Sequence, residues 1–139
     1  SYLVNGVDYS KASFAGASKY IATWMARYAL VDSPELGRIS ASMNGFYQSE
    51  TVSIDATSFN TATQLLYPDD VIKGRHIVDA AVEWSDVKGT GFDLRFYVKN
   101  IFKAEYYGYI QNAYYSAIGN SAATLGEPRT WGIEVKYSF

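Results

Sequence analysis

The chain closes on Arg129-Thr-Trp-Gly-Ile-Glu-Val-Lys-Tyr-Ser-Phe139, and taking every second residue separates this stretch into two faces. Trp131, Ile133, Val135, Tyr137 and Phe139 fall on one side; Thr130, Gly132, Glu134, Lys136 and Ser138 fall on the other. A period of two marks a strand whose faces meet unlike surroundings. A strand tilted across a bilayer needs about 9–11 residues, and this stretch supplies them. In a soluble sandwich the end of the chain is expected to trail into polar residues, whereas this one stays inside a strand.

The same period recurs upstream. Between Ser18 and Leu30 it gathers Tyr20, Ala22, Trp24, Ala26, Tyr28 and Leu30 on one face, with Lys19, Thr23 and Arg27 opposed and Ile21 and Met25 as exceptions. Ala, Met and Leu would also suit a helix there. Strand is the better reading, because three aromatics share one face and no helix cap precedes them. Gly37–Gln48 alternates Ile39, Ala41, Met43, Gly45 and Tyr47 against Arg38, Ser40, Ser42, Asn44 and Phe46. Arg75–Ser85 sets His76, Val78, Ala80, Val82 and Trp84 against Ile77, Asp79, Ala81 and Glu83. Gly91–Phe102 sets Phe92, Leu94, Phe96 and Val98 against Asp93, Arg95, Tyr97 and Lys99. Asp32–Gly37 reads as a compact turn and Asp86–Gly91 as a tight hairpin connection. Ser49–Gly74 and Lys103–Pro128 read as long loops, and residues 1–16 as a strand end followed by a loop. The expected fold is therefore all-β: an antiparallel meander of about five long strands.

Two motifs bear on identity. Gly126-Glu-Pro-Arg-Thr130, leading into the closing strand, resembles the G-x-P-R-T signature of TonB-dependent receptors, and Phe96-Tyr-Val-Lys-Asn-Ile-Phe-Lys-Ala-Glu-Tyr106 resembles the stretch that precedes it in that family. Gly126, Pro128, Arg129, Thr130 and Asn100 carry the likeness. It extends over roughly the second half of the chain; the first half agrees by pattern alone. The resemblance implies that residues 1–139 are the C-terminal portion of a large outer-membrane β-barrel, the strands being transmembrane. The plug domain, the TonB-contacting segment and the N-terminal strands would lie elsewhere. Ser1-Tyr-Leu-Val-Asn-Gly has neither an initiating Met nor a signal-peptide layout, as expected of a fragment or processed chain. The implied function is TonB-dependent active uptake of a scarce nutrient: an iron chelate, cobalamin or an oligosaccharide. Implied partners are outer-membrane lipid, the rest of the barrel and its plug, the TonB system, an extracellular small-molecule ligand of unknown identity, and the barrel-assembly machinery. That machinery would read Trp131, Ile133, Val135, Tyr137 and Phe139 as the assembly signal. Alternatives are a passive porin or another outer-membrane barrel and, less well supported, a soluble β-sandwich binding module.

Composition narrows the chemistry. A net charge of −2 gives no electrostatic case for nucleic acid. With no Cys and one His, thiolate catalysis and His-rich metal sites are excluded, and neither enzyme chemistry nor a cofactor is expected. His76 reads as an interfacial or loop-proximal residue, and Gly89-Thr-Gly91 as turn chemistry rather than a phosphate loop. Asp79, Glu83, Asp93, Arg95, Lys99, Glu134 and Lys136 fall on the polar faces and read as a ladder of paired charges facing the lumen. Opposite charges across strands are worth roughly 0.2–1 kcal/mol, so pairing predicts the register. It sets Glu83 and Glu134 against Arg95, Asp79 against Lys99, and Asp93 against Lys136. On the other face Phe92, Leu94 and Phe96 should then neighbour Tyr137, Val135 and Ile133. Tyr106, Tyr107, Tyr109, Tyr114 and Tyr115 read as an interfacial girdle or loop packing, with a stacking surface for an extracellular ligand as the alternative.

Overall fold

The computed structural model describes residues 3–12, 14–53, 59–60, 62–63, 65–66, 70–112 and 120–138. Within them the chain is all-β, and its sheets are antiparallel. The strands are β1 Leu3–Val4, β2 Val7–Asp8, β3 Ile21–Ser33, β4 Gly37–Gln48, β5 Thr51–Val52, β6 Phe59–Asn60, β7 Leu65–Leu66, β8 Val71–Ile72, β9 Arg75–Ser85, β10 Phe92–Lys99, β11 Tyr107–Asn112, β12 Ser121–Leu125 and β13 Thr130–Tyr137. They fall into two units, one built from 22–47, 76–104 and 127–139, the other from 1–21, 48–75 and 105–126.

The first unit is organised by a sheet in the order β13-β10-β9-β4-β3. Alternation made β4 and β9 legible to their ends. Elsewhere the boundaries move. β3 begins at Ile21 rather than Ser18, because the Tyr20 N–H is taken by the Ser49 hydroxyl at 3.0 Å. It then runs on to Ser33, where Pro34–Leu36 turn the chain. β10 stops at Lys99, because Asn100 turns to a positive φ of 51°. The expected tight hairpin after β9 is looser than that: the ladder starts only at Trp84–Leu94. The connection carries a 3-10 turn over Val87–Gly89, with Asp86 and Lys88 both at φ 50°. Side-chain carboxylates hold it, the Asp86 N–H donating to Asp93 at 2.8 Å and the Gly91 N–H to Asp86 at 3.2 Å.

The second unit contradicts the reading of its segments as plain loops. Residues 49–74 carry the β5–β8 and β6–β7 pairs, and residues 103–128 carry the β11–β12 hairpin. The start of the chain folds as the two-residue hairpin β1–β2. Asn5 at φ 49° and Gly6 at φ 79° form its turn, and Asn-Gly is the dipeptide best suited to two left-handed residues in succession. Inside this unit Val52, Ile72 and Ile110 are buried, and the Ser53 hydroxyl donates to the Ile110 carbonyl.

Candidate functional site

The β9–β10–β13 part of the sheet has the register that charge pairing predicts. Arg95 stands opposite Glu83 on β9 and Glu134 on β13, and Asp93 stands opposite Lys136. Phe92–Tyr137, Leu94–Val135 and Phe96–Ile133 pair on the reverse face. Because side chains alternate along each strand, this register gives the sheet one charged face and one apolar face.

On the charged face the guanidinium of Arg95 lies 3.1 Å from Glu134 and 3.5 Å from Glu83, while Arg27 on β3 lies 2.8 Å from Glu83. The result is a row of alternating sign, Arg27–Glu83–Arg95–Glu134. Sequence reasoning placed Arg27 on the polar face but not in the row. Its long side chain passes β4, where Ser40 accepts a second bond from it at 3.1 Å. The signal was present, since Arg27 and Glu83 share a face, but β3 and β9 are not neighbours. All four side chains are partly exposed, so each pair contributes little to stability. What the row does is select register and cover the face with satisfied charge.

Two members of the ladder act differently from expectation. Among the described residues Asp79 pairs with no lysine: its carboxylate accepts the Asn100 N–H at 2.9 Å and the Asn44 amide at 3.3 Å. The described β9–β10 pairing stops at Val98–Ala80, and Lys99 stands opposite Thr130 on β13. Asp93, although opposite Lys136, spends an oxygen on the Asp86 N–H. In both cases a fixed backbone donor wins over a mobile lysine head. Ser42, Asn44, Asp79, Arg95, Tyr97, Lys99 and Glu134 line a cavity of about 220 Å³ on this face.

The apolar face is exposed. Trp131, Ile133 and Val135 on β13 are 69%, 65% and 62% exposed, and Tyr28 on β3 remains open as well. Rings meet across strands, Phe92 with Tyr137 at 4.6 Å and Phe96 with Trp131 at 6.5 Å between centroids. Of the expected assembly signal, Trp131, Ile133, Val135 and Tyr137 lie in β13 at the edge of the sheet. Phe139 lies outside the described residues, as do Tyr114 and Tyr115. His76 lies beside Trp24, centroids 6.5 Å apart.

The motif residues take structural posts. Asn100 is buried, and its side-chain amide donates to the carbonyls of Ala104 and Glu127 while its oxygen accepts the Ala104 N–H at 2.8 Å. It thus ties the end of β10 to the segment leading into β13. Pro128 and Arg129 are exposed in that segment, and Thr130 opens the strand. Gly126, in the other unit, donates its N–H to the Tyr106 carbonyl at 2.7 Å, and a Cβ there would run into the Tyr106 ring. Arg75 stacks over the same ring at 4.8 Å and donates to the Tyr107 carbonyl at 3.1 Å. Tyr106 and Tyr107 line a cavity of about 530 Å³ with Val71, Lys73, Glu105, Ile110, Ala123 and Leu125.

Among the described residues no group of three or more His, Cys, Asp or Glu side chains is placed to hold a metal ion. No helix among them is long and apolar enough to cross a membrane, which has no bearing on strands. No protein-family model, curated protein or solved structure matches the chain.

Proposed function

We propose that this chain forms the C-terminal wall of a TonB-dependent outer-membrane receptor barrel, serving active uptake of a scarce nutrient. The observation that carries the reading is the exposed aromatic and aliphatic face of β10 and β13 backed by the Arg95-centred charge row. A water-soluble sheet needs a second layer over such a face. A barrel wall instead turns the apolar face to lipid and the polar face to its lumen. β3 and β13 are the sheet's edge strands, and barrel neighbours would take up their unpaired backbone groups. The Gly126–Thr130 motif, followed by the aromatic-rich closing strand, separates the receptor family from porins that share only the strand. Assignment to TonB-dependent uptake rests on that resemblance.

None of these 139 residues is a cysteine, so none of them competes for a label placed by substitution. Single nitroxides at Glu134→Cys and Val135→Cys, in the full protein in lipid vesicles, should show opposite accessibilities. The label at 135 should collide with oxygen dissolved in lipid, and the label at 134 with a water-soluble nickel chelate. Equal access of the nickel chelate to both positions would sink the membrane-wall reading.

A further inference from the structure

We propose that the cavity on the charged face of the sheet is a saccharide subsite, holding one pyranose ring of a neutral oligosaccharide against Tyr97. Two cations, Arg95 and Lys99, and two carboxylates, Asp79 and Glu134, line it together with the Asn44 amide. Their charges cancel. An anion drawn to Lys99 would meet the two carboxylates, and a cation drawn to those would meet Arg95 and Lys99, so the lining favours neither. What it offers is donors and acceptors in like measure around one aromatic ring. A ring of hydroxyls, each able to donate and accept, answers that pattern.

The strands build the site as a trough. Tyr97 stands opposite Ala81 on β9 and Gly132 on β13. Positions two apart share a face, so this row of small neighbours runs between two polar rows. Glu83, Arg95 and Glu134 form one; Lys99 and Thr130, with Asp79 and its Asn44 partner beyond, form the other. Gly132 decides how Tyr97 lies. A Cβ there would come within 2.6 Å of the tyrosine hydroxyl and 2.7 Å of the carbon that bears it, so the ring reclines over β13 on bare backbone. Its opposite face is turned away from the sheet. The Arg95 guanidinium, 5.7 Å from the ring centroid, stands beside the ring rather than flat upon it. That leaves an aromatic platform, and the weakly positive C–H groups of a sugar face suit its negative π-cloud. The cavity of about 220 Å³ has room for roughly seven waters at about 30 Å³ each, the scale of a single sugar ring.

The polar partners are held in readiness. Asp79 is fixed by the Asn100 N–H and the Asn44 amide, and Glu134 by Arg95. Each carboxylate oxygen can accept a further bond from a sugar hydroxyl. Among the described residues Lys99 forms no ion pair, and its ammonium is exposed, so its donors can turn to a ligand. Groups already positioned lose little freedom on binding. An apolar ligand in this trough would take water from the charged groups and return nothing. The inference narrows the uptake reading to a saccharide and rests on it for placing this face toward the lumen, where a passing oligosaccharide would meet it.

The test is calorimetric titration of the full protein in mild detergent with neutral trisaccharides of glucose, galactose, mannose and xylose. Tri-galacturonate serves as the anionic trimer. At least one neutral trimer should bind, with an affinity unchanged between low and high salt. Tri-galacturonate should bind at least ~10-fold more weakly, because its carboxylates would face Asp79 and Glu134. Tyr97→Ala should weaken the neutral trimer at least ~5-fold, while Tyr97→Phe, which keeps the ring, should stay within about 2-fold of the wild type. Lys99→Met should weaken it several-fold. Failure of every neutral trimer to bind overturns the proposal, and so does a preference for tri-galacturonate or a Tyr97→Ala protein that binds equally. If Tyr97→Ala fails to fold, an unchanged affinity in Lys99→Met overturns it instead. The label accessibilities at 134 and 135 are measured without sugar, so failure of the saccharide leaves the membrane-wall reading standing, and failure of that reading shows in the labels alone.

Discussion

Asn100 shows how one side chain can fix the meeting of two strands. It sits at φ 51°, a conformation that asparagine tolerates and alanine does not, and it spends its amide on two carbonyls and one N–H. Its own N–H is capped by Asp79. Replacing it by alanine should therefore cost about 2–4 kcal/mol, combining orphaned buried groups with a strained backbone. Asn100→Gly relieves the backbone part and should recover about 1 kcal/mol of that loss. Urea midpoints of the three proteins in detergent measure the difference, and equal losses for Ala and Gly would remove φ from the explanation. The importance of Asn100 was visible in the sequence only as part of a motif. Its physical role depends on where the Ala104 and Glu127 carbonyls arrive, and nothing local in the sequence gives that.

Among the elements, glycines lie beneath aromatic rings from neighbouring strands. A Cβ on Gly45 of β4 would strike the Trp24 indole of β3, and one on Gly132 of β13 would come within 2.6 Å of the Tyr97 hydroxyl of β10. Each ring covers the bare backbone of a strand that offers no side chain there, which also helps to fix the register. Gly45→Ala should destabilise by about 1–3 kcal/mol through overpacking. In a Trp24→Ala background the same change should become nearly neutral, within about 0.5 kcal/mol, because the obstacle is gone. A full penalty in both backgrounds would show that the indole is not what Gly45 accommodates. At this scale the sequence is most informative where alternation is strict: the limits of β4 and β9, and the register of β9, β10 and β13, follow from periodicity and charge. The β11–β12 hairpin was hidden because Tyr107–Asn112 and Ser121–Leu125 have no unlike faces to alternate. The full burial of Asp70 was hidden for another reason. Following Pro68 and Asp69, an aspartate reads as a solvated turn residue, and only its burial makes it an anomaly.

For the whole molecule, the membrane reading gives the sheet a direction. The turn after β3 and the turn after β9 lie side by side, the Lys88 N–H donating to the Leu36 carbonyl at 3.2 Å and the Trp84 indole N–H to the same oxygen at 2.6 Å. Both are short, whereas the segments 49–74 and 103–128 are long and carry hairpins of their own. Outer-membrane barrels keep short turns on the periplasmic side and longer connections outside. The Leu36–Lys88 end should therefore face the periplasm. A membrane-impermeant maleimide applied to intact cells should label Asn120→Cys, in the second long connection, and leave Lys88→Cys unmodified until the outer membrane is opened. Breaching it should raise labelling at 88 to the level at 120, since both positions are exposed to solvent. Labelling of 88 on intact cells, with 120 protected, would reverse the orientation while leaving the lipid-facing alternation of β13 untouched, so the two tests fail separately.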